Sequence, residues 1–210
     1  MLIGKKGAAK SAIETADASS ITVRGKDLCN EVMGHASMAE FFFFHLTGSE
    51  PTEDQAFFMD VLVVGLAEHG LTPSVQAARM TLAAAPEAFH GAVAAGLLGV
   101  GSVILGSADV CGVILDDAAN RIESGTSAEN AALAIAQEHK TLGKFIPGFG
   151  HPIHHPVDPR AVRILELADA RGVSGRHVNA LRAFPAAVKA VWGKPLPMNL
   201  QGPMAAVLLD

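Results

Sequence analysis

The chain has no tyrosine, one tryptophan and two cysteines among 210 residues, and only 18% of it is charged. Each shortage excludes something. Cys29 and Cys111 are far apart and cannot form a disulfide framework. No C-x-x-C or H-E-x-x-H pattern occurs, which leaves a zinc site little support. The net charge of −5 lacks the basic excess that a nucleic-acid partner requires. Lys5 and Lys6 have no apolar run behind them, so a secretory signal is not expected and a reducing cytoplasm is. Soluble domains are typically about a quarter charged. This chain is half apolar and too rich in core residues to be disordered.

The apolar residues are small: 36 alanines and 21 glycines. Small side chains let helices approach closely, and alanine is the best helix former. An all-α fold follows as the expectation, with residues 1–20 as a mobile arm. Gly91–Ala108 has eighteen residues without a charge, long enough for a membrane span. Five glycines interrupt it and Gly99-Val100-Gly101-Ser102 looks like a break, so a buried helix pair or subunit interface is the better reading.

Ile21–Leu28 contains a short β-like piece with a glycine turn. Helices are expected over 30–46, from a Thr52/Gln55 capping box to about Glu68, and over 73–83. Pro86 should open a helix, and another should run from about Ser102 to Arg121. Ser127 should cap a helix to about Leu142, and Asp158-Pro159 should open one to Arg171. Gly175–Trp192 reads as a single helix and Asn199–Leu209 as the last.

Residues 143–159 cannot be regular structure, because glycines and prolines crowd them. Within them, Lys144-Phe145-Ile146-Pro147-Gly148-Phe149-Gly150-His151 is the most informative stretch. Its glycines let backbone groups come close to a ligand, and His151 follows directly. His154 and His155 add to a cluster that would also suit a surface loop, or a metal-dependent hydrolase. Arg160, in the first turn of the next helix, can bind a carboxylate through two N–H groups, though a solvated arginine would look the same. His69, in Glu68-His69-Gly70, reads by itself as a helix-ending cation.

Together these pieces resemble the citrate synthase superfamily, and more narrowly its short citryl-CoA lyase-like branch. The resemblance runs from about Ile21 to Asp210. It rests on Arg24-Gly25-x-Asp27-Leu28, Leu46-Thr47-Gly48 with Pro51-Thr52, and Glu68-His69-Gly70 with Ser74 and Ala77-Ala78-Arg79. Pro147-Gly148-Phe149-Gly150-His151 with Asp158-Pro159-Arg160 is the specific part, followed by Asn199-x-x-Gly202.

The resemblance implies a helical homodimer that binds coenzyme A and joins or splits a carbon–carbon bond between acetyl-CoA and an oxo acid such as oxaloacetate. It implies a large helical domain over 21–122 and 199–210, and a smaller CoA-binding lobe over 123–198. His151 takes the place of the ketone-polarising histidine, Arg160 that of a carboxylate-binding arginine, and His69 that of a histidine contacting the oxo acid. The backbone of 145–150 would cradle adenine, with Lys144 near a phosphate. No metal, nucleic acid or membrane is implied.

Two departures stand out. Leu105, in Leu105-Gly106-Ser107, occupies the place of an enolate-stabilising histidine, as fits a lyase-type relative. Asn199-Leu200-Gln201-Gly202 puts Gln201 where the family keeps a catalytic aspartate, and a carboxamide cannot accept a proton at neutral pH. A lyase of low activity is therefore expected; a catalytically weakened relative that binds CoA thioesters is the alternative. The family also continues beyond the position of Asp210 and supplies a further arginine there, so the carboxylate clamp is not expected to be complete in these residues.

Overall fold

The computed structural model describes residues 11–101, 103 and 105–210. Of the expected arm over 1–20, residues 1–10 lie outside the described ones. Contacts divide the chain into two compact units, 1–63 and 64–210, with the boundary inside a helix.

The first unit opens with a three-stranded antiparallel sheet: β1 (Glu14–Ala16), β2 (Ile21–Val23) and β3 (Lys26–Asp27). Arg24 and Gly25 join β2 to β3 with φ of 51° and 86°, a turn of two left-handed residues that matches the twist of the strands. Asp27 caps a π-helical turn over Leu28–Val32. The helix expected over 30–46 begins late, as α1 (Met38–Thr47). Gly34 turns the chain at φ 80°, and a reciprocal capping box between Ser37 and Glu40 fixes the new start. Of the run Phe41–Phe44, Phe44 is buried and Phe42 is exposed. The Arg24 side chain donates to the carbonyls of His45 and Leu46, which ties the turn to the end of α1. The Thr52/Gln55 box opens α2 (Glu53–Leu66), whose last turn belongs to the second unit.

In the second unit, α3 (Pro73–Ala84) and α4 (Phe89–Leu98) show what the small residues are for. A Cβ on Gly99 would stand 2.9 Å from the Ser74 Cα, and one on Gly96 would stand 3.3 Å from the Ala78 Cβ. The uncharged stretch does break: α4 stops at Leu98, and α5 (Ser107–Glu123) begins later than the expected Ser102, which itself is not described. Among the described residues, no helix is long and apolar enough to cross a membrane.

Helix α5 then runs through the core with Cys111, Leu115, Ala118 and Ala119 almost fully enclosed. Ser127 caps α6 (Ala128–Thr141), and Asp158 caps α7 (Pro159–Arg171). The single helix expected over 175–192 is two: α8 (Arg176–Leu181) and α9 (Phe184–Trp192). Pro185 is the cause. It has no N–H to donate back four residues, so the ladder breaks in front of it. The last helix is α10 (Gln201–Leu209).

Helix α8 has no side-chain cap of its own. Asp210 supplies one from the far end of α10. Its carboxylate accepts from the backbone N–H groups of Gly175, His177 and Val178, and pairs with His177 Nδ1 at 2.7 Å. Burial alone would raise the Asp210 pKa. The backbone hydrogen bonds outweigh it and hold the group below its ordinary value.

Candidate functional site

The irregular stretch after α6 is held against the chain entering α10 by a short antiparallel pairing. Phe149 bridges Met198, Gly150 N–H donates to the Pro197 carbonyl at 2.7 Å, and Asn199 N–H donates to the Gly148 carbonyl at 2.9 Å. The Asn199 side chain adds a bond to the Gly150 carbonyl at 2.9 Å. Gly148 sits at φ 87°, and a Cβ there would meet Cys111 Sγ at 2.9 Å and Gly202 Cα at 3.1 Å. Glycine is required on both counts. This pairing brings His151 and Gln201 to the same place from positions fifty residues apart.

His69, His151, Arg160 and Gln201 all line one open cleft of about 680 Å³, together with Leu105, Gly150, Asn199 and Leu200. The cleft lies wholly within the second unit. Of the stretch 144–150, only Gly150 is part of its wall. Ile146 and Phe149 point into the core. Lys144 and Phe145 are exposed, and the Phe145 ring stacks on Trp192 at 6.4 Å.

Two backbone hydrogen bonds fix the His151 ring. Its Nδ1 accepts from the backbone N–H groups of Ile153 and His154, at 3.1 and 3.0 Å. Both bonds point at the same nitrogen, so the proton of the neutral ring is on Nε2. That Nε2 is buried, has no hydrogen-bond partner, and lies 4.0 Å from Asp158 Oδ2. Burial, and then the neighbouring His154, lower the His151 pKa. The Nε2–H is thus left without an acceptor among the described residues.

Arg160 is held in place by Asp158, which is fully buried. Nε donates to Oδ1 at 3.1 Å and NH2 to Oδ2 at 2.8 Å. NH1 faces the Gly65 carbonyl at 3.4 Å and His69 Nδ1 at 3.2 Å. A guanidinium cannot accept, so His69 Nδ1 does, and its proton sits on Nε2. Asp158 also caps α7 through the Arg160 N–H and accepts from the Leu200 N–H at 3.3 Å. Burial by itself would push its pKa up, but the Arg160 hydrogen bonds prevail and hold it below the usual carboxylate range.

Asp158 is the residue whose reach was not evident from sequence. The Asp-Pro pair announces a helix start but not the contact with Leu200, forty-two residues away. Gln201 begins α10 with its N–H bonded to Asn199 Oδ1 at 3.0 Å. Leu105 faces the cleft at φ 67°, a left-handed conformation that costs a non-glycine residue about 1–2 kcal/mol.

His151, His154 and Asp158 place potential metal ligands within 4.8 Å of one another. His155, the third histidine of the run, is not among them. The donor set fits a cation poorly. Both Asp158 oxygens already hold Arg160, and His151 Nδ1 already accepts two hydrogen bonds.

The citryl-CoA lyase from Hydrogenobacter thermophilus has a similar structure, at 28% identity and a TM-score of 0.81 over 96% of this chain and 75% of that one. The ATP citrate lyase from Methanothrix soehngenii, solved with citrate and coenzyme A, shares the fold at 21% identity and a TM-score of 0.80. That match covers 99% of this chain and 33% of the larger protein. Citrate synthase from Thermotoga maritima shares it at 18% identity and a TM-score of 0.65, over 83% of this chain and 46% of that one. No curated protein matches the sequence significantly. The model of the citrate synthase C-terminal domain matches residues 8–206, nearly the whole chain, which therefore belongs to the citrate synthase family.

Proposed function

We propose that this chain is a citryl-CoA lyase-type enzyme. It would split a 3-carboxy-3-hydroxyacyl-CoA into acetyl-CoA and a 2-oxo acid, or run the reverse condensation. One observation carries the reading: His69, His151, Arg160 and Gln201 share a cleft in which His151 presents a buried, unpartnered N–H. The similarity to the Hydrogenobacter citryl-CoA lyase supports it.

In cleavage the tertiary hydroxyl gives its proton to water in the open cleft and its oxygen becomes the ketone. The bond to the thioester-side carbon breaks. Its electron pair forms an enolate, which takes a proton back from that water to give acetyl-CoA. His151 Nε2–H donates to the oxygen while it carries charge and so stabilises the step where it is hardest. The tautomer set by Ile153 and His154 makes His151 a donor here rather than a base. Arg160, with His69 Nε2–H beside it, receives a carboxylate. Gln201 can donate to the thioester end but cannot move a proton, so turnover is slow. CoA would enter past Gly150, with its nucleotide along Lys144, Phe145 and the 123–198 lobe.

The test is release of acetyl-CoA and oxaloacetate from citryl-CoA, beside equilibrium binding of both thioesters. Slow cleavage is expected. Tight binding with no product would instead favour a CoA-thioester-binding relative, the reading that Gln201 supports.

The same proposal includes a homodimer in a reducing cytoplasm. Leu97, Leu98 and Val113 stand 69%, 87% and 67% exposed. Adjacent exposed apolar side chains, as Leu97 and Leu98 are at the end of α4, mark an interaction surface. Leu97→Arg should yield a monomer, or insoluble protein, by light scattering. Leu97 is exposed in the single chain, so an intact dimer in this variant would refute the interface.

A further inference from the structure

Asn199 lines the cleft but meets no substrate group in the reaction above. Its hydrogen bonds run instead to the two segments that carry His151 and Gln201. The backbone N–H donates to the Gly148 carbonyl at 2.9 Å, and the Asn199 carbonyl accepts from Gly202 N–H at 3.3 Å. Side-chain Nδ2 donates to the Gly150 carbonyl at 2.9 Å, and Oδ1 accepts from Gln201 N–H at 3.0 Å. The partners fix which end of the carboxamide is which, since an N–H only donates and a carbonyl only accepts.

Each end acts on a different side chain of the cleft. The Gly150 carbonyl and the His151 N–H belong to one planar peptide unit, which turns as a body. Holding that carbonyl sets the direction in which the chain enters His151. Packing does not do this, because a Cβ on Gly150 would meet nothing within 4 Å. At the other end, α10 begins at Gln201 with no side-chain cap from Leu200 before it. Asn199 Oδ1 takes the Gln201 N–H and so sets the turn from which the Gln201 side chain leaves. An aspartate would offer two acceptors and set one of them against the Gly150 carbonyl.

We infer that Asn199 is a positioning residue of this cleft. One carboxamide sets both the peptide that carries His151 and the turn that carries Gln201, and so keeps the two side chains in a fixed relation. The geometry stands without the lyase reading; its effect on rate rests on that reading. His151 donates to the oxygen while it carries charge, so misplacing it removes transition-state stabilisation. Ground-state binding through Arg160 and His69 is left in place. Such a loss falls on kcat rather than KM.

The experiment uses Asn199→Ser and Asn199→Asp in the full chain. Both keep an oxygen for Gln201 N–H, and both lose the Nδ2 donor to Gly150. They differ in charge, so an effect common to both belongs to the lost donor. The readouts are the ring nitrogen signals of His151 by NMR, and kcat and KM for citryl-CoA per folded molecule. In both variants the His151 signals should shift or broaden. The kcat should fall at least about tenfold, with KM held within about twofold. A role in stability alone would lower the melting temperature and leave the His151 signals and kcat as in the parent; that result overturns the inference. A rise in KM with kcat unchanged overturns it too. If the parent does not cleave citryl-CoA, the lyase reading falls and the His151 signals decide. Displaced in the variants they uphold the inference, and parent-like they overturn it. Should one variant fail to fold, the other decides by the same readouts.

Discussion

Gln201→Asp should raise the rate of acetyl-CoA release by about 10²-fold or more. General acid–base catalysis typically contributes 10²–10⁴ in rate, and the parent chain has a carboxamide where the proton must move. A hundredfold corresponds to about 2.7 kcal/mol in the barrier. The backbone is already set for the exchange. Gln201 N–H is bonded to Asn199 Oδ1, and Asn199 is bonded on both sides to the 148–150 segment. The first turn of α10 also favours a negative charge, so the new carboxylate would be ionised at neutral pH. Gln201→Glu, which keeps the length of the parent side chain, separates charge from reach. An unchanged or lower rate for both variants, with parent-like melting, would move the proton-transfer group elsewhere.

Asp158→Ala should destabilise the second unit by about 3–5 kcal/mol, the usual cost of leaving one partner of a buried ion pair alone. This variant removes the cap of α7, both bonds to the Arg160 guanidinium and the acceptor for Leu200 N–H in one step. Asp158→Asn keeps the shape and one acceptor and should cost less. Chemical denaturation gives the two values, and equal, small losses would sink the argument.

The pH dependence has a definite sign. The folded pKa of Asp158 lies below the unfolded one, so its contribution is present above the unfolded value and lost as pH falls through the folded pKa. His151 also has its pKa lowered on folding, chiefly by burial. Its neutral form is the stable one in the fold. Acidification below about 6.5, the ordinary histidine value, therefore begins to favour the unfolded chain. Protonation of Nδ1 would also set a proton against the N–H groups of Ile153 and His154. Stability and activity should fall together on the acid side.

How much of this was readable in advance depended on the distance over which each interaction acts. The caps at Thr52, Ser127 and Asp158 were legible because each cap acts within three residues of itself. The grouping of His69, His151, Arg160 and Gln201 was readable only through the family resemblance. Nothing in local pattern says that Gly148 and Gly202 must touch. The division of α8 from α9 was missed because the apolar pattern continues across it, although Pro185 carried the signal. The delayed start of α1 had a local signal in Gly34 and the Ser37/Glu40 box, which the helix expected over 30–46 ran through. The left-handed Leu105 and the cap supplied by Asp210 depend on tertiary contacts and leave no local mark.

That last cap also has a mechanical meaning. Helix α10 is fastened at both ends: near Gln201 by the pairing of 197–199 with 148–150, and at Asp210 by the backbone amides of Gly175, just before α8, and of His177 and Val178 within it. It behaves as a beam resting on two supports. A shift along its axis, or a rotation to another register, would break bonds at both ends together. Gln201 therefore cannot adjust to a ligand by sliding its helix. Any closing motion around the cleft has to come from the opposite wall, where His69 follows the end of α2.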